Sequence, residues 1–125
     1  MKTNKLMLTL ALTAVLAACS TAETRPAMTS GSMLTGSNGM TLYVFDKDEA
    51  GSGQSWCTGA CATNWPPLFA PHEAMASGDY SVIKRGDGNK QWAYKGKPLY
   101  FWSKDQKVGD TTGDGFNNLW HVAKP

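Results

Sequence analysis

Residues 39–48 read GMTLYVFDKD and residues 96–105 read GKPLYFWSKD, at a constant offset of 57 residues. Gly, Leu, Tyr, Lys and Asp recur in register, and Phe45 is answered by another aromatic, Trp102. On an extended strand, side chains alternate between faces, so Tyr43 and Phe45 share one face and Leu42 and Val44 the other. In the second copy Tyr100 and Trp102 lie opposite Leu99 and Phe101. A strand that is apolar on both faces is normally buried on both. Asp48 and Asp105 stand where each strand ends, and there a carboxylate that accepts backbone N–H bonds fixes an Asx-type turn. The competing reading leaves the paired aromatics exposed, as a platform for a ring-bearing or sugar ligand.

The repetition extends outward from the phrase. Trp65 follows Gly39 by 26 residues and Trp120 follows Gly96 by 24, so each unit closes on a Trp. Turn clusters GSNG (36–39) and GDGN (86–89) each separate two apolar runs, as hairpin turns do. These patterns predict a mainly β, small single domain over residues 33–125. It is built of short antiparallel strands from two related repeats, about 33–68 and 80–123, with pseudo-twofold packing. Short helical turns are expected at Thr58–Asn64, stopped by Pro66-Pro67, and at His72–Ala76.

The N-terminus reads as an address. Lys2 and Lys5 precede an apolar run from Leu6 to Ala18, too short to span a membrane and shaped like a secretory signal over residues 1–18. It ends in Leu16-Ala17-Ala18-Cys19, the pattern of a bacterial lipobox, which makes Cys19 the expected acceptor of the diacylglycerol and palmitate-type chains of a lipoprotein. Several acyl chains, at about 0.8 kcal/mol per buried methylene, give durable anchoring in the membrane. Ser20 supplies no Asp-type retention signal, so the outer membrane, facing the periplasm, is the expected location. Residues 19–32 read as a flexible tether, with an r.m.s. span of roughly 20 Å for about thirteen residues.

Removing Lys2 and Lys5 leaves ten Lys/Arg against ten Asp/Glu, so the mature chain has no electrostatic case for nucleic acid. With Cys19 lipidated, Cys57 and Cys61 remain as a pair in an oxidising compartment, where a disulfide is the default. The C-x-x-x-C spacing fits neither a thioredoxin-like redox pair nor haem attachment. It leaves a copper or redox alternative, in which Cys57 and Cys61 would join His72, Met75 or His121 around Cu(I). The two histidines are isolated and no nucleophile has the context of a catalytic group. Asp46 and Asp48 are paired by spacing only, and GDTTGDG (109–115) lacks the ligand spacing of a calcium loop.

The lipobox, both Y-x-(F/W/Y)-x-x-D phrases, SWCTGACATNWPPL (55–68) and GDTTGDGFNNLWHV (109–122) together resemble one bacterial family, the secreted-repeat lipoproteins named for that conserved motif. The resemblance covers nearly all of residues 33–123. It implies envelope localisation and repeat architecture, and brings no activity with it. The reading is therefore a non-catalytic binding or structural lipoprotein, held to the membrane by its anchor and engaging another envelope protein or a small ligand, with no resident cofactor.

Overall fold

The computed structural model describes residues 25–125. Its strands are β1 (Met28–Ser30), β2 (Met33–Thr35), β3 (Tyr43–Phe45), β4 (Phe69–Ala70), β5 (Tyr80–Lys84), β6 (Lys90–Tyr94), β7 (Lys97–Pro98) and β8 (Trp120–Val122). One short helix, α1 (Ala60–Asn64), follows Gly59, and a single 3-10 turn covers Phe116–Asn118. All strand pairs are antiparallel. Strand β6 is the hub: β5 runs along one edge, while β4 and β7 share the other.

The two motif strands meet at the centre. Tyr43 N–H donates to the Tyr100 carbonyl at 2.7 Å, and Tyr100 N–H returns the bond to the Tyr43 carbonyl at 3.0 Å. Such a reciprocal pair is what two antiparallel strands make across a twofold axis. The closing segment of each repeat then crosses to the other repeat. Leu68 N–H bonds Leu99 O at 2.9 Å and Trp92 N–H bonds Leu68 O at 2.9 Å. The counterparts are Ala123 N–H to Leu42 O at 2.8 Å and Leu34 N–H to Ala123 O at 2.9 Å. One turn earlier, Ser103 N–H reaches Asn64 O at 2.9 Å, matched by Asp46 N–H to Leu119 O at 2.8 Å. The repeats have thus exchanged their final strands: β8 pairs with β3, and the chain at 66–68 pairs beside Tyr100.

Alternation along the central strands separates two cores. Tyr43, Phe45, Tyr100 and Trp102 pack with Trp65, Trp120, Cys57 and Val122. On the other side Leu42 and Leu99 pack with Ala27, Leu34 and Ala123, and Val44 and Phe101 lie against them. The recurring glycines are turn requirements. Gly39 and Gly96 have φ of +79° and +81°, the left-handed region that side chains avoid, and a Cβ on Gly96 would lie 2.6 Å from the backbone N of Gly51.

Three expectations change. The domain starts before residue 33: Ala27 is buried in the aliphatic core and Met28–Ser30 pairs with β2 across a turn at Gly31. An exposed three-residue ribbon carries no apolar pattern, and the tether over 19–32 is shortened at its C-terminal end. Cys19 and the signal lie outside the described residues. The turn at His72–Ala76 forms no helix; only Ala74 N–H closes back on Pro71 O. The second helical element is instead the turn at Phe116–Asn118, which depends on left-handed conformations at Gly115, Asn117 and Asn118. The second motif strand, read above as extended through Leu99–Trp102, is regular only at β7, and Tyr100 makes isolated bridges to both Tyr43 and Pro67.

Candidate functional site

The motif residues clasp the halves together. Tyr43 Oη donates to Asp105 Oδ2 at 2.7 Å, and Tyr100 Oη donates to Asp48 Oδ2 at 2.5 Å, so each tyrosine binds the aspartate of the other repeat. The second carboxylate oxygen secures the following loop: Asp48 Oδ1 accepts Trp56 N–H at 2.8 Å and Asp105 Oδ1 accepts Thr112 N–H at 3.0 Å. This corrects the Asx-turn expectation, since the accepted N–H groups lie eight and seven residues on. The local turn is closed by backbone alone, Asp48 N–H to Phe45 O and Asp105 N–H to Trp102 O. All four motif aromatics are buried, which removes them as an exposed platform.

Burial and the neighbouring carboxylates hold both tyrosine hydroxyls well above their ordinary pKa. A folded pKa raised above the unfolded value stabilises the fold below that unfolded value and is lost as pH rises through the folded one. The domain should therefore weaken above about pH 10, by up to about 1.4 kcal/mol per pH unit for each tyrosine. Denaturant melts between pH 8 and 12 check this, and Tyr43→Phe with Tyr100→Phe should flatten the alkaline slope. Burial likewise raises the Asp48 carboxyl, outweighing the hydrogen bonds from Tyr100 and Trp56 and the Lys97 and Arg85 charges.

The first clasp continues into a polar network that the second lacks. Ser55 Oγ lies 2.7 Å from Tyr100 Oη and accepts Arg85 Nη1 at 2.9 Å. Arg85 also donates to Gln91 Oε1 at 2.8 Å and to the Cys57 carbonyl at 2.6 Å. Gln91 Nε2 in turn donates to Leu99 O at 2.7 Å. Arg85 is only 7% exposed, so its guanidinium is committed inside the fold. Among the described residues every buried side-chain N and O has a partner.

Cys57 and Cys61 form a disulfide, and Cys57 is fully buried. Both sulfurs are engaged in that bond, and no group of three or more His, Cys, Asp or Glu among the described residues is arranged to hold a metal ion. His72 is exposed, as is Met75 at 80%, and the backbone carbonyl of His72 accepts Lys90 Nζ at 2.6 Å. His121, on the outer face of β8, pairs with Asp46 Oδ2 at 2.8 Å. Copper handling gains nothing from this arrangement.

Concavities lie open on the surface of the described residues. A groove of about 780 Å³ runs where the chain enters the domain, between Met28, Met75 and the Tyr80–Tyr94 ring pair. A smaller cleft of about 310 Å³ lies between the 54–58 loop and the end of β5, beside Trp56, which is 65% exposed. The sequence alone singles out neither Trp56, Ser55 nor Gln91, and it marks Arg85 only as part of the tripeptide Arg85-Gly86-Asp87 at the second hairpin turn. The available signal was a lone aromatic directly after the polar run GSGQS, and an Arg and a Gln interrupting the apolar pattern around the second hairpin.

The geometry defines a class: a small β domain of two tandem units that exchange closing strands and lock by crossed Tyr–Asp bonds. The chain belongs to the family Lipoprotein_15, described as a secreted repeat of unknown function, which matches residues 27–69 and 81–124. Those two segments coincide with the two structural units. No curated protein and no solved structure matches the chain.

Proposed function

We propose that this secreted repeat protein is lipid-anchored at the cell envelope through Cys19 and acts as a non-catalytic binding module. The observation that carries the reading is the division of labour among its side chains. Asp48, Arg85, Gln91 and both motif tyrosines are committed to one another inside the fold, whereas Trp56 stands in solvent on a loop pinned at Ser55, at its own N–H and at Cys57. A buried and satisfied network rigidifies what it supports, and a rigid exposed aromatic is the usual anchor of a binding surface. The signal and lipobox give the location, and Ser20 favours the outer membrane facing the periplasm. A second envelope component or a small ligand is the partner class.

Two measurements test this. Alkyne-palmitate labelling in cells should mark the wild type and fail on Cys19→Ser, with the variant released from membranes; an equally labelled variant would end the anchoring claim. A benzophenone amino acid placed at Thr58, beside the cleft, should capture an envelope component that the same group at Lys124 does not. Equal capture at both positions would remove the binding-module reading.

A further inference from the structure

The three residues that carry Trp56 are held from every side. Ser55 Oγ is shared by Tyr100 and Arg85, Trp56 N–H is taken by Asp48, and the Cys57 carbonyl accepts from Arg85 while its sulfur is joined to Cys61. None of these bonds needs an indole. The second repeat shows what the clasp requires by itself: Thr112 occupies the position that donates its N–H to the aspartate, and its hydroxyl folds back onto Asp105 Oδ1 at 2.6 Å. The first repeat makes the same bond and points a large aromatic outward instead. The ring is 65% exposed, so most of the burial an aromatic of this size could gain is left unused within the domain.

The surroundings define what would cover the ring. Gln54, Ser55, Thr58, Lys84, Arg85 and Gly86 complete the cleft of about 310 Å³, so the indole is bordered by an amide, hydroxyls, one ammonium and the largely buried Arg85, with no carboxylate in the lining. Lys84 and Gln54 side chains hold no hydrogen bond within the described residues and are exposed. A flat aromatic face beside neutral and cationic hydrogen-bonding groups suits a ligand with an apolar C–H face and a hydroxylated edge. It suits a wholly apolar chain poorly, because the polar rim would go unused. The volume is at the small end of ligand sites, which run from about 300 to 1,000 Å³, and so fits one or two sugar rings.

We propose that the Trp56 cleft is a saccharide subsite, in which one pyranose ring stacks on the indole and its hydroxyls, or an acidic substituent, meet Gln54, Thr58 and Lys84. The loop is preorganised, so little ordering cost is left at binding. The inference rests on the binding-module reading and narrows it to a glycan ligand.

The test is an oligosaccharide array that includes peptidoglycan disaccharide fragments and both neutral and acidic bacterial-envelope glycans, probed with detergent-solubilised mature protein. The wild type should retain a defined subset. Trp56→Ala should weaken that retention at least tenfold, and Trp56→Phe should keep most of it. Gln54→Ala with Lys84→Ala, two side chains that support nothing in the fold, should weaken it severalfold with unchanged melting. An array left blank by the wild type overturns the proposal, as does retention that survives both the Trp56→Ala and the Gln54/Lys84 changes. Capture of a protein at Thr58 together with a blank array would remove the saccharide and leave the binding module standing.

Discussion

Replacing Trp65 by alanine should cost about 3–5 kcal/mol and lower the melting temperature by roughly 15 °C or more. Its ring is sandwiched between Trp120 at 3.8 Å and 1° and Trp102 at 4.0 Å and 27°, with Tyr43 edge-on at 5.3 Å. A Cβ on Gly113 would lie 2.6 Å from its outermost ring atom, so backbone closes over the indole tip and leaves no room for collapse elsewhere. Trp65 comes from the first repeat, while Trp102 and Trp120 come from the second, so truncation removes packing between units. The loss approaches the whole stability of a small domain. Near-UV circular dichroism during a thermal melt reads it directly. Trp56→Ala, nine residues earlier, should stay within about 0.5 kcal/mol of wild type because that ring is in water.

Asp48→Ala is the second large effect, at about 2–4 kcal/mol. The carboxylate is 1% exposed and receives both the Tyr100 hydroxyl and Trp56 N–H. Its removal leaves that amide without its acceptor and leaves Tyr100 with Ser55 alone. Asp105→Ala should cost less, about 1–2 kcal/mol, because Asp105 is only half-buried and water can replace it. Asp48→Ala combined with Tyr100→Phe should cost less than the sum of the two, since one bond is counted in both. Denaturant titration of the four proteins closes that cycle. Additive costs would mean that the hydroxyl and the carboxylate do not support each other.

The fold was legible where periodicity speaks. Alternation through Leu42–Phe45 and Leu99–Trp102 assigns each side chain to one of two faces, and both faces are core. The 57-residue offset marks two equivalent units. What a single unit's pattern cannot encode is the partner: Tyr43 could as well have bonded Asp48 as Asp105, because sequence distance favours the near residue and only packing selects the far one. The strand exchange was hidden for the same reason. The ribbon at Met28–Ser30 escaped because all three residues are exposed and too few to show an apolar alternation, and the turn at Phe116–Asn118 because left-handed Asn is permitted by the sequence without being demanded. At the candidate site the disulfide followed from cysteine spacing and compartment. Arg85 did not, since burial of an Arg depends on acceptors from Ser55, Cys57 and Gln91 that converge only in three dimensions.

The central claim is that the two repeats complete each other. Each lends its last strand and its aspartate to the other, so neither has a whole core alone. The most direct measurement is to cut the chain in the exposed segment between Ala74 and Gly78, prepare the two halves separately, and record amide hydrogen–deuterium exchange alone and after mixing. Each half should exchange at the rate of an unfolded chain or be found only as a self-paired dimer. The equimolar mixture should recover protection at Tyr43, Tyr100, Leu68 and Ala123, whose N–H groups cross between repeats. A protected, cooperatively melting monomer from either half would contradict the account.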